Sequence, residues 1–144
     1  MGFLGSAGYY DFAGSGIVHM VGGLCGFIGA AAAGPRLGRF LKAHENKFRA
    51  HNVPLIVLGT LILWFGWFGF NAGSTLSMSG DNVNLAAYVS VNTMIAASSG
   101  GIVTFLLRSK FIGKGKHNYD VGAMCNGILA GLVAITAPCG NVSS

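Results

Sequence analysis

Four stretches of the chain, approximately residues 12–34, 53–73, 84–107 and 119–138, run almost without charge. A bilayer core about 30 Å thick needs roughly 20 helical residues, so each stretch predicts a transmembrane helix. The expected fold class is therefore an all-α integral membrane protein with four transmembrane helices. No Lys, Arg, Asp or Glu enters these stretches except Asp120, which lies at an end. The segments 35–52 and 108–118 between them are polar and basic, whereas Ser74 to Val83 carries no basic residue.

Within the first stretch, Ser15, His19, Gly22, Gly26, Gly29 and Ala33 recur at steps of four and three, which predicts one small and polar helical face. Ile17, Val21, Leu24 and Ile28 take another face, suited to lipid. The first face is expected to meet other helices, and His19 to look inward, about a third of the way across from the outer end. In the second stretch Gly59, Gly66, Gly69 and Gly73 fall near one stripe and predict a close packing seam. Asn92, Ala96 and Ser99 in the third stretch, and Gly127 with Gly131 beside Asn126 in the fourth, read as helix-association patterns.

Composition sharpens this picture. Hydrophobic residues make up 52% of the 144 and charged ones 9%, against about a quarter charged in a soluble domain, so lipid is the expected solvent. The net charge of +5 could suggest a nucleic-acid partner, but the distribution of charge argues against one. Arg36, Arg39, Lys42, Lys47 and Arg49 follow the first stretch, and Arg108, Lys110, Lys114 and Lys116 follow the third; these are all nine basic side chains. The positive-inside rule places both basic loops in the cytoplasm and both chain ends outside. No signal-peptide pattern precedes Asp11. Asn141-Val142-Ser143 matches a glycosylation acceptor, but it lies so close to a helix end that a chance match is the reading taken. Cys25, Cys125 and Cys139 show neither even pairing nor metal spacing and read as packing residues.

Chemistry concentrates at a few positions. An ionisable side chain at membrane depth marks a polar path or a hydrogen bond to a neighbouring helix, and both readings are open for His19. Trp67, Phe70 and Ser74, spaced by three and four, align an indole, a phenyl ring and a hydroxyl toward the outer surface. Aromatic faces attract cations and a serine oxygen can accept from a cationic N–H donor, although an interfacial aromatic belt would use the same ring types. Asp11, just before the first stretch, can cap that helix and also lies where cations would arrive. Among the histidines His44, His51 and His117 sit in or beside the basic loops, and no two share helical ligand spacing. No metal, haem or other cofactor is expected.

The residues from Asp11 to Met20, Gly34-Pro35-Arg36, His51 to Leu55, Gly66 to Ser74, Val91-Asn92-Thr93 and Gly131 to Thr136 together resemble the ammonium transporter family, which includes the plant and microbial transporters and the Rhesus proteins. The resemblance covers nearly the whole chain. It implies that the four spans correspond to helices five to eight of an eleven-helix fold with inverted repeats, in a homotrimer at the plasma membrane. It further implies recruitment of ammonium at an outer site, deprotonation, and passage of ammonia along a narrow apolar pore. A neutral molecule crosses such a passage at far lower cost than an isolated ion. By resemblance, His19 is one of two pore histidines, Trp67 a pore-wall residue, Phe70 one of two gating phenylalanines, Ser74 the recruitment hydroxyl, and Asp11 a carboxylate organising the recruitment mouth.

The second histidine, the other phenylalanine and the outer tryptophan of that pattern have no counterpart here, so the expectation is a fragment inactive alone. Thr136-Ala137-Pro138-Cys139 departs from the family order of proline before alanine, which is expected to shift a helix end slightly. An alternative is a non-transporting membrane partner that assembles with full-length transporters and tunes them. An intramembrane serine protease using Ser98 or Ser99 with a histidine is disfavoured because Ala97, not glycine, precedes the serines.

Overall fold

The computed structural model describes residues 2–48, 51–112 and 119–143, and within them every regular element is helical. Arg49, Lys114, Lys116 and His117, which the basic-loop and histidine readings used, lie outside the described residues. The short helix α1 spans Phe3–Ser6. A π-helical turn, Ser15–Met20, leads into α2, Val21–Ala33; α3 is Val53–Gly73, α4 is Asp81–Leu107, and α5 is Val121–Thr136. Three apolar helical runs are long enough to cross a membrane: Ser15–Ala33, Val53–Gly73 and Asp81–Phe111. The fourth stretch forms a helix of 16 residues and then turns at 137–142, short of the roughly 20 a perpendicular crossing needs.

Local chemistry sets the helix starts. Asn52 accepts from Leu55 N at 3.0 Å with Pro54 in the first turn, so α3 begins where its free N–H groups have an acceptor. Asp120 does the same for α5 through Ala123 N at 2.9 Å. Its other oxygen meets Arg108 Nε at 3.2 Å across the loop, an exposed pair that contributes little to stability.

Helices α4 and α5 share the most extensive interface, and α3 packs against both. The close approach of α4 and α5 needs Gly127 and Gly131. A Cβ on Gly131 would run into the Ala96 carbonyl, and one on Gly127 would lie 2.6 Å from Gly100 O. This is small-xxx-small packing, in which missing side chains let backbones meet. Ala97, Ile128 and Leu132 form the adjoining core, with Trp64 and Trp67 laid on it. A second cluster, Ala72, Ala86, Val89 and Cys139, sits nearer the other end with Phe12 against it.

Two glycine stripes expected to pack meet no partner among the described residues. Gly59, Gly66, Gly69 and Gly73 face open space, and the face that α3 presents to α4 and α5 instead carries Thr60, Trp64, Trp67, Asn71 and Ala72. On that face Trp67 donates to Thr136 of α5 and Asn71 to Thr93 of α4, hydrogen bonds that glycine cannot make. Likewise Gly22, Gly26 and Gly29 meet nothing among the described residues, because α2 leaves the bundle after the π-helical turn and none of its residues is buried. In the third helix Asn92 is buried and Ala96 half-buried, but Ser99 faces outward and donates to Ala96 O at 3.1 Å. Cys125 and Cys139 are buried as packing residues, whereas Cys25 on α2 is exposed.

Candidate functional site

The first span is anchored at its N-terminal end by backbone and side chain together. Phe12 N and Ala13 N donate to the carbonyls of Ala137 and Thr136 at 2.9 and 3.1 Å, and Ser15 Oγ donates to Val133 O at 2.7 Å. These bonds satisfy carbonyls that the end of α5 would otherwise leave unpaired. Asp11 then holds the turn itself. Its Oδ1 accepts from Gly14 N and Ser15 N at 3.1 and 2.7 Å, and its Oδ2 from Gly16 N and Ile17 N at 2.9 and 3.0 Å. Burial of the carboxyl favours its neutral form, but the four N–H donors outweigh that and hold its pKa below the ordinary 3.8. Asp11 is thus committed to the backbone, with Tyr9 OH as a further donor at 3.3 Å.

One consequence is the position of His19, one turn further on. Its ring stacks on Trp67 with centroids 4.8 Å apart and lies 5.3 Å from Phe70, and Trp67 and Phe70 are 5.9 Å apart. The three rings, with Ile62, Leu63 and Gly66, line a cavity of about 220 Å³. The Trp67 indole N–H donates to Thr136 Oγ1 at 2.9 Å, and the Thr136 hydroxyl donates in turn to Leu132 O at 2.7 Å. The lining is otherwise hydrocarbon, except for His19, whose Nε2 is buried without a partner among the described residues.

Ser74 caps the end of α3 and donates its hydroxyl to Phe70 O at 2.8 Å. With its proton used, the oxygen offers only lone pairs outward, the arrangement a cationic N–H donor would require. The structure therefore brings His19, Trp67 and Phe70 into one ring cluster, sets Ser74 one turn beyond Phe70, and gives Asp11 the task of holding the turn before His19. Reading the sequence by helical faces did not single out Val133 and Thr136, the acceptors that seat Ser15 and Trp67. A threonine closing an apolar run is a weak signal until the partner indole is placed.

Among the described residues no group of three His, Cys, Asp or Glu side chains could hold a metal ion.

Comparison with known proteins agrees across the whole chain. The model of the Ammonium Transporter Family matches residues 1–144. Ammonium transporter 1 member 3 of Solanum lycopersicum is 46% identical over 149 residues, covering 92% of this chain and 30% of the relative. Ammonium transporter Amt2 of Archaeoglobus fulgidus is 46% identical over 136 residues, covering 94% of this chain and 28% of that protein. The crystal structure of Saccharomyces cerevisiae Mep2 superposes with a TM-score of 0.79 at 34% identity, over 96% of this chain and 30% of that one. The chain thus spans about 30% of the length of these relatives.

Proposed function

The chain belongs to the ammonium transporter family, and from that premise we propose that its ring cluster forms part of an ammonium and ammonia pathway when joined to the remainder of the family fold. The relatives it matches are named as transporters rather than enzymes, and its apolar helical runs are those of an integral membrane protein. The observation that carries the proposal is His19 Nε2, buried and unpartnered in an apolar cavity. In such a place an imidazole exchanges a proton with the one polar species that enters.

In this reading Ser74 Oγ and the faces of Phe70 and Trp67 receive ammonium at the outer end. A partly desolvated cation over such rings gains about 2 kcal/mol. Deeper entry as an ion is prevented by the hydrocarbon lining, so ammonium passes one proton to His19 Nε2 and moves past the rings as ammonia. Trp67 keeps its ring plane because Thr136 holds the indole N–H, and His19 keeps its height because Asp11 fixes the preceding turn. Assembly as a homotrimer at the plasma membrane, with both basic loops cytoplasmic, completes the proposal.

The test is His19→Ala in the chain joined to the remaining family helices, with ammonium-driven current and methylammonium uptake measured together. The expected result is loss of transport or a change in ion selectivity at normal membrane abundance. Unchanged transport and selectivity would reduce His19 to a packing residue.

A further inference from the structure

We propose that Asn71 and Thr93 form a latch between α3 and α4 that sets the place of Phe70, which makes them positioning residues for ammonium entry; the inference rests on the ring cluster being part of an ammonium pathway. Both side chains are fully buried. Asn71 Nδ2 donates to Thr93 Oγ1 at 3.0 Å, and the Thr93 hydroxyl donates its own proton to Val89 O at 2.7 Å. The Thr93 oxygen can therefore only accept from Asn71, which fixes the direction in which the amide points. Asn71 Oδ1 is left buried with no partner among the described residues.

That stranded acceptor makes the pair a poor device for stability alone. An apolar residue of similar volume at position 71 would bury as much surface and strand nothing, because the Thr93 hydroxyl stays satisfied by Val89 O. What the directional bond adds is the choice of one rotation of α3 against α4, where an apolar contact accepts several.

The place of the bond connects it to the pathway. Trp67 ties α3 to α5 through Thr136, and Asn71 ties it to α4 one turn further on. Phe70 lies between these two anchors, and its hydrocarbon ring has no polar group with which to hold itself, so it stands where the α3 backbone puts it. Successive helical residues point about 100° apart, so Asn71 can face α4 while Phe70 lines the cavity with His19 and Trp67. Ser74 shares the arrangement, since its hydroxyl donates to Phe70 O. A rotation of α3 by about 10° would carry a ring about 6 Å from the helix axis through about 1 Å. Such a shift alters the face that a cation meets and leaves the stack of His19 on Trp67, which Asp11 and Thr136 hold, in place.

The experiment measures methylammonium uptake against concentration in the chain joined to the remaining family helices, at matched membrane abundance. Asn71→Leu should reach the membrane as wild type does and raise the half-saturating concentration about fivefold, the loss of half the attraction between a partly desolvated cation and a ring. Its maximal rate and ion selectivity should stay as in wild type, because the bonds that hold His19 and Trp67 are untouched. Thr93→Val should show the same shift and Thr93→Ser should abolish it, a pair that carries the test if Asn71→Leu folds poorly. In a Phe70→Ala background Asn71→Leu should add nothing, since its effect runs through that ring. An unchanged half-saturating concentration in a well-folded Asn71→Leu or Thr93→Val, with Phe70→Ala altering uptake, would overturn the latch and leave the pathway standing. Unchanged uptake in Phe70→Ala as well would overturn both. A fall in maximal rate or abundance without that shift, or an effect that persists in the Phe70→Ala background, would reduce the pair to a packing role and overturn the proposal.

Discussion

Replacing Asp11 by asparagine isolates the contribution of one carboxylate to the position of the candidate pore histidine. The amide retains a single carbonyl oxygen, so one pair of the four N–H groups now bound to Asp11 faces an NH2 instead of an acceptor. Stranding a buried donor costs about 1–3 kcal/mol; because Ile17 N is exposed and Gly16 N half-buried, the expected loss is about 2 kcal/mol. The pH dependence gives an independent check. The folded-state pKa of Asp11 lies below its ordinary value, so its contribution is complete above that ordinary value and disappears as pH falls through the folded one. Thermal unfolding in detergent, followed by circular dichroism, should therefore separate wild type from Asp11→Asn at pH 7. The two should converge progressively below about pH 4. Equal melting at pH 7, or a gap that widens on acidification, would refute the assignment of Asp11 as the acceptor that builds this turn.

Thr136→Val removes the acceptor of the Trp67 indole and should destabilise by about 1–3 kcal/mol in chemical denaturation, with Thr136→Ser close to wild type. The same change should shift the Trp67 emission when Trp64→Phe isolates that fluorophore. Gly131→Leu forces a side chain against the Ala96 backbone, and an overpacking cost of about 3 kcal/mol should appear as lost helical content. Gly59→Ala, which faces open space, should instead stabilise α3 by about 0.5–1 kcal/mol. Phe70, 39% exposed, should tolerate alanine in folding assays while ammonium entry changes in the chain joined to the remaining family helices. A drop in expression without altered transport kinetics would make Phe70 a packing residue.

The helices were legible because their signal is the absence of charge over a length fixed by the bilayer, and α3 runs over the expected 53–73. Faces were harder to read. Spacing by 3.6 assigns Ser15 and His19 to a face that continues through Gly22 and Gly26, but the π-helical turn changes the residue count per turn there and α2 departs from the bundle. In α3 the glycine stripe drew attention although the contact face is the run Thr60, Trp64, Trp67 and Asn71, spaced by four, three and four. A glycine shows only that something could approach. Whether anything does depends on a partner surface, and that information lies elsewhere in the chain. The Gly127 and Gly131 pair was readable because its partner, α4, is the neighbouring element.

The burial of polar groups also bears on the pathway. In a lipid environment no water is at hand for a stray donor or acceptor, so polar side chains on helices are expected to pair within the protein. Most do here. Asn71 donates to Thr93 at 3.0 Å, Thr93 to Val89 O at 2.7 Å, and Asn92 to Cys139 O at 2.9 Å. Among the described residues three buried side-chain atoms lack partners: Asn71 Oδ1, Trp64 Nε1 and His19 Nε2. The first two belong to residues that do not line the ring cavity, and Asn71 is already tied through its amide nitrogen. His19 instead lines the ring cavity. An unpaired nitrogen beside a space of about 220 Å³ can be satisfied by a small hydrogen-bonding molecule without any rearrangement of the helices. That combination, rather than the histidine's depth in the sequence pattern, makes His19 the residue on which the proposed passage of ammonia rests.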